Sequence, residues 1–267
     1  MEIISFELII IIVLIAFIFE VMDSGAGMGF GTGLTPLLLL IGFEPLQIVP
    51  TILISESITG FVDSYFDKEF KNADFKFHPM SDDTRIAFII AFFGCISIAI
   101  SIYLTYAALN LPTTFIKIYV AILVLFMGIF GIIRAKLAQK RELSFKPKLM
   151  VAFAALAGFN KGVGGGGYGP VITLGEVSCG IYEKSATAIV SFSEAIVSVV
   201  GILSFIIISA LGVGIDLVLL PWIFTGAFIG ALITPYIVRV VPNKLWKIII
   251  PFYAIGIGIY TLYTVFF

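Results

Sequence analysis

The chain has 267 residues, 60% hydrophobic and 12% charged, with a formal net charge of −1 at pH 7 and a mean hydropathy of +1.14. A water-soluble domain is roughly 25% charged, so these figures exclude a soluble fold. They describe an all-α polytopic membrane protein with little mass outside the bilayer. The net charge says nothing about partners, because the distribution of Lys and Arg among loops is what orients such a chain; no nucleic-acid partner is expected.

Residues 3–22 are apolar, with Glu2 and Glu7 the only charges near the start. There is neither a basic start nor a small-residue cleavage site, so the segment reads as a retained membrane helix and not a signal peptide. A glycine-rich stretch follows, DSGAGMGFGTGLTP from Asp23 to Pro36, and then a short apolar segment, 34–43. Spans are predicted at 46–66, 86–108 and 113–134. Beyond the basic 134–149 connection, a second glycine-rich stretch, NKGVGGGGYGP from Asn160 to Pro170, lies between Leu149–Phe159 and Val171–Cys179. Those flanks are too short to cross a hydrocarbon core that needs about 20 helical residues. Further spans are predicted at 183–210, 217–238 and 245–267.

Each glycine stretch therefore sits either in one broken crossing or at the tip of a hairpin that enters and leaves by one face. Loop charge separates the two. The 134–149 connection has Arg134, Lys136, Lys140, Arg141, Lys146 and Lys148 against Glu142 alone, which makes it cytoplasmic. The 67–85 loop, with Lys68, Lys71, Lys76 and Arg85, falls on the same side. Placing Arg239 and Lys244 inside as well requires 148–180 to start and finish on the cytoplasmic face, as a hairpin does. The chain then divides into a first repeat, 1–134 (hairpin 3–43 and three spans), a basic cytoplasmic linker, 135–147, and a second repeat, 148–267 (hairpin 148–180 and three spans). Three spans per half invert one half relative to the other, with the N-terminus outside and the hairpin tips meeting near the midplane. Interrupted segments at matching places in two inverted halves point to a transporter's binding site.

The chemistry expected there is anionic. Thr35-Pro36 and Gly169-Pro170 are read as closing each loop and opening a short helix, since proline suits the first helical position. The free N–H groups of a helix start attract an anion. Ser24, Gly25, Gly27 and Gly29 in the first copy are expected to line the binding site. Asn160, Lys161, Gly162, Gly164, Gly165, Gly166, Gly167 and Tyr168 are expected to do so in the second. A bare ammonium at this depth costs about 3 kcal/mol or more unless paired, so Lys161 is expected to meet a substrate oxyanion or Glu194. Ser24 is read as its counterpart in the first copy.

Gly25 precedes Glu56 by 31 residues and Gly162 precedes Glu194 by 32. Each glutamate lies about 16 Å into its helix, near mid-membrane. A carboxyl there either couples proton movement to that of the anion or hydrogen-bonds to Ser55, Ser57, Ser191 or Ser193. Glu20, Asp23 and Glu176 are read as partners of Lys161 or as backbone caps. Cys95, Cys179 and the lone His78 form no metal-ligand spacing, and no cofactor or metal is expected. Gly162–Gly167 matches G-x-G-x-x-G by composition only, with no strand before it.

The hydrophobic chain, its two diverged halves, and Gly162-Val-Gly164-Gly-Gly-Gly167-Tyr168-Gly169-Pro170 together resemble the TauE/SafE sulfite exporter family, also called toluene sulfonate uptake permeases. The resemblance covers essentially the whole chain, with Gly25–Pro36 a weaker counterpart. It implies transport of sulfur-containing anions such as sulfite, sulfonates or sulfoacetate across a cytoplasmic membrane. The reading is a proton-coupled secondary transporter, not an enzyme, since no nucleophile–base cluster is present. A passive anion channel and a non-transporting assembly subunit are the alternatives. The oligomeric state is left open.

Overall fold

The computed structural model describes residues 5–27, 29–137, 146–179, 183–240 and 243–267. Among them the first half comprises α1 (Phe6–Ala26), α2 (Phe30–Ile41), α3 (Pro45–Glu69), α4 (Asp82–Ile102), a π-helical continuation of α4 (Tyr103–Ala108) and α5 (Thr113–Leu137). The second half comprises α6 (Pro147–Gly164), α7 (Tyr168–Ser178), α8 (Glu183–Ala210), α9 (Leu220–Val240) and α10 (Asn243–Phe266). Residues 138–145, most of the basic linker, lie outside the described residues, as do the side chains of Arg134, Lys136, Glu183, Lys184, Arg239 and Lys244.

Local sequence sets the helix starts. The Ser5 hydroxyl accepts the N–H of Leu8 at 3.3 Å at the head of α1. In α3, Pro45 follows Glu44, whose N–H donates to Gln47 Oε1 at 2.9 Å in a capping box. Ser81 caps α4, ahead of Asp82 and Asp83 in its first turn, where negative charge meets the positive helix end.

Among the described residues, five stretches have the length and apolarity to cross a membrane: Pro45–Glu69, Asp82–Ala108, Thr113–Ile133, Ser185–Ala210 and Ile248–Phe266. The remaining expected span, 217–238, is α9, with a shorter apolar stretch at Leu220–Pro235. Outward-facing Phe92, Phe126 and Phe252 are more than half exposed, as side chains facing lipid are.

Two expectations about the glycine stretches need correction. The helices run further into them than predicted: α1 continues through Ser24 and Gly25, and α6 through Asn160, Lys161, Gly162 and Gly164. A glycine inside a helix costs only about 1 kcal/mol, whereas an unpaired backbone group in an apolar medium costs several, so the helix persists. It ends where a glycine turns left-handed, Gly27 at φ 67° and Gly165 at φ 73°. Nor does Pro36 open a helix. It lies inside α2, which starts at Phe30, and a proline there leaves the Thr32 carbonyl without its usual helical donor. Pro170 does fall in the first turn of α7.

Both short helices fold back on the helix before them. Gly175 of α7 packs on the Phe153 ring of α6, and Cys179 Sγ lies 3.7 Å from the Lys146 carbonyl, so the ends of that pair meet. In the first half, Gly29 packs on Met22 and Gly33 on the Phe19 ring.

The same packing pattern recurs among the elements of the two halves. α1 packs along α9 as α6 packs along α4, and α3 packs on α9 as α8 packs on α4. α3 and α8, themselves counterparts, pair at the centre. Gly60 faces Ser191 and Ala195 while Gly201 faces Leu53, so the two run antiparallel. α5 and α10 also run antiparallel, with Gly131 against Pro251 and Gly258 against Ala121 and Leu125. Small residues permit these close crossings.

Hydroxyls of α4 stitch it to α6: Ser97 Oγ donates to the Ala155 carbonyl at 2.6 Å and Ser101 Oγ to Phe159 at 2.7 Å. Continuing by four would bring Thr105 to Val163. Instead Tyr106 donates to the Val163 carbonyl at 2.6 Å, because the wider π turn accommodates one extra residue. A long phenol thereby holds the last turn of α6.

Candidate functional site

The site forms where the two hairpin tips meet beside the α3–α8 crossing. Lys161, one turn before the end of α6, is fully buried. Its ammonium donates to Glu194 Oε1 of α8 at 2.7 Å and to Glu56 Oε2 of α3. It also lies 5.5 Å from the centre of the Tyr168 ring at the head of α7, a cation–π distance. Glu56 and Glu194 are 4% and 7% exposed. One lysine thus bridges two carboxyls at equivalent places on two antiparallel helices. Tyr168 Oη in turn donates to Ser193 Oγ at 3.2 Å, and Tyr119 Oη to Asn160 Oδ1 at 2.5 Å.

The tips meet backbone to backbone. A Cβ on Gly31 would collide with the Gly165 carbonyl, and one on Gly166 would come within 2.5 Å of the Gly31 oxygen. The Gly167 N–H donates to Thr32 Oγ1 at 3.0 Å, and Thr173 Oγ1 lies 3.3 Å from the Gly27 carbonyl. The Gly167 N–H at the head of α7 is therefore already satisfied, and the Asp23 carboxyl lies near the Phe30 N–H at the start of α2. Other buried polar atoms have no hydrogen-bond partner among the described residues: Asn160 Nδ2, beside Lys161, and the hydroxyls of Thr35 and Thr51. Thr35 Oγ1 faces Gly165. A small ligand with acceptor oxygens would satisfy such donors.

The expectation that Lys161 pairs with Glu194 is met, with Glu56 as a second acceptor. Ser24 is not its counterpart. Gly27 donates to the Asp23 carbonyl and Gly165 to the Lys161 carbonyl, so the helix ends align Asp23 with Lys161, 138 residues apart, as are Glu56 and Glu194. Ser24 instead donates to Asp63 Oδ2 at 2.7 Å. Gly162 and Gly164 press against Ser101 and Val120, so both serve close packing. Gly25 lies in α1 and Gly29 precedes α2. Among the described residues no group of His, Cys, Asp and Glu is arranged to hold a metal.

Sequence reasoning missed Gly31, Thr32, Asp63 and Tyr119. Glycine alternation in the first stretch hides which residue faces the other tip. The signal that identifies Asp63 was readable: it lies seven residues after Glu56, on the same helical face.

A family model described as "Sulfite exporter TauE/SafE" matches residues 12–261. The chain belongs to the sulfite exporter TauE/SafE family of membrane transporters. It is also similar to a protein of Bacillus subtilis (strain 168) described as "Probable membrane transporter protein YtnM". The two are 24% identical over 264 residues, covering 95% of this chain and 82% of that protein. The family match extends from α1 to α10, so both hairpins and the Lys161 site fall inside it.

Proposed function

We propose that the chain is a secondary transporter of a small, sulfur-containing anion, working by alternating access and coupled to protons through Glu56 and Glu194. The halves, 1–134 and 148–267, are read as inverted repeats in the cytoplasmic membrane with the N-terminus outside; the antiparallel course of α3 and α8 supports the inversion. The carrying observation is that the Lys161 ammonium sits between two carboxyls, one from each half.

Coupling follows from that geometry. With both glutamates ionised, the ammonium is fully engaged and the cluster has a net charge of −1, which repels an anion. A proton on either glutamate removes one competitor, and a Lys161 N–H becomes free to meet an oxyanion. Asn160 Nδ2 and the Thr35 hydroxyl add neutral donors at the same junction. The family's description makes sulfite the first candidate, and tetrahedral or pyramidal oxyanions suit donors converging from several sides.

The test is thermal unfolding of the purified protein with sulfite, sulfate, thiosulfate, a sulfonate and a carboxylate. A sulfur oxyanion should raise the midpoint, and Lys161→Ala should abolish that rise. Stabilisation that persists in Lys161→Ala overturns the site assignment. In proteoliposomes, ohmic current in place of saturable uphill accumulation would replace the carrier by a channel.

A further inference from the structure

Acidic side chains around Lys161 are unevenly shared between the halves. On α3, Asp63 and Asp67 follow Glu56 at seven and eleven residues, one face of a helix over about 16 Å. Asp63 is 7% exposed, accepts from Ser24 Oγ of α1, and lies within electrostatic reach of both Asp67 and Glu194. Asp67 accepts from Asn72 Nδ2 at 2.8 Å, where α3 gives way to the 70–81 connection.

Glu20 of α1 joins this stripe. It is 2% exposed, lies beside Thr59, and is within electrostatic reach of Asp63, Asp23 and Glu56. Its Oε2 has no hydrogen-bond partner among the described residues, and a buried acceptor in that condition costs on the order of 1–3 kcal/mol. That cost disappears when the carboxyl binds a proton and shares it with a neighbouring carboxylate.

The other half lacks this feature. The 138-residue correspondence places Gly158, Gly201 and Phe205 opposite Glu20, Asp63 and Asp67. Gly201 is pressed between Ile98 and Leu53, and the buried Phe205 ring packs on Tyr106 at 5.4 Å. A fold whose helices correspond in pairs thus has a polar route on one side of Lys161 and a hydrophobic seal on the other.

We propose that Asp67, Asp63 and Glu20 form a proton-conducting branch between the Glu56–Lys161–Glu194 group and the α3 end of the molecule, next to residues 70–76. Seven residues of helix separate Glu56 from Asp63 by about 10 Å along the axis, so each hand-off passes a proton from a carboxyl O–H through an intervening hydroxyl or water, which accepts one proton and releases another, to the next carboxylate. The donor is left ionised and the acceptor neutral, and the last proton is replaced from water at Asp67. Among the described residues, Asp23 on α1 also lies within electrostatic reach of Glu20, while Tyr168 on α7, itself near Cys95 and Glu176, lies within reach of Glu194; α9 contributes no ionisable group among residues whose side chains are described. The proposal rests on the reading that Glu56 or Glu194 exchanges a proton, and it adds the route and its sidedness.

The experiment uses the full chain in oriented vesicles, with sidedness marked by a labelled Cys at Lys71. A pH step is applied to one face in inert buffer, with no sulfur anion present, and protonated carboxyls are followed by infrared absorption. The signal should answer quickly only to steps on the Lys71 face. Asp63→Asn should slow it about a hundredfold, the size of a lost proton relay, whereas Glu194→Gln should lower the amplitude and leave the rate. Ser24→Ala, which keeps every carboxyl, gives the same reading by a slower rate if Asp63→Asn does not fold. A response to the opposite face, or an unchanged rate in both variants, overturns the branch. One-sided exchange retained in a protein that binds none of the anions overturns the anion reading alone.

Discussion

Asp23 and Lys161 stand at matching places before the ends of α1 and α6: the carbonyl of each accepts the N–H of the left-handed glycine four residues on, at 2.6 and 2.8 Å. The two differ in charge. Asp23 lies within electrostatic reach of Lys161, so the site holds opposite charges at equivalent places.

Removing the lysine leaves two buried carboxyls facing each other. Lys161→Met should destabilise the protein by about 3–5 kcal/mol, the usual cost of breaking a buried ion pair. Adding Glu56→Gln and Glu194→Gln should recover most of that loss. Denaturant unfolding in detergent measures both; a triple variant no more stable than the single one would contradict the mutual pairing.

Glu194→Gln removes one of the two groups proposed to exchange a proton. Anion uptake into proteoliposomes should then lose its response to an imposed pH gradient while the binding-induced thermal shift survives. An intact response would dismiss Glu194 as the coupling group.

The glycines at the tip contact differ from those elsewhere. Gly166→Ala should cost about 1–3 kcal/mol, because the new methyl enters occupied space against the Gly31 backbone. Gly214→Ala has nothing within 4 Å and serves as the matched control, expected within about 0.5 kcal/mol of the parent.

The back-folded course of α7 can be tested covalently. With Cys95 replaced by Ser, a Lys146→Cys variant should form a disulfide with Cys179, whose sulfur lies 3.7 Å from the Lys146 carbonyl. Intramolecular cross-linking is read by mass after proteolysis between the two; its absence under oxidising conditions would argue against the paired ends.

Tyr106→Phe deletes only the hydrogen bond to Val163. About 1 kcal/mol of stability should be lost, and amide exchange should quicken in the last turn of α6 relative to its first.

The elements with a strong physical signature were readable from sequence. Apolar length identified five helices long enough to span, and Lys161, Glu56 and Glu194, singled out by their charge in apolar surroundings, come together in the structure. Lys161 stood out because a cation in apolar surroundings demands a partner. What was hidden depends on three-dimensional register. Helices overran their glycines because backbone hydrogen bonding outweighs local propensity in an apolar medium. Only the left-handed caps at Gly27 and Gly165 reveal that Asp23, and not Ser24, matches Lys161. Gly162 and Gly164 have the same letters as their neighbours, yet they face α4 and α5, and no spacing rule separates them from Gly165.

The contact between Gly31 and Gly165–Gly166 has one further consequence. Most gates in proteins work by a side chain that swings between rotamers, a local event within reach of thermal motion on short timescales. Here the tightest part of the seam, Gly31 against Gly165–Gly166, is main chain on both sides, so no side chain at that point can swing aside. Opening it means separating two helical hairpins as bodies, a slower collective displacement. Such a closure should be quiet until a ligand or proton shifts the hairpins, so leakage through the resting molecule should be low, and turnover should be set by hairpin motion.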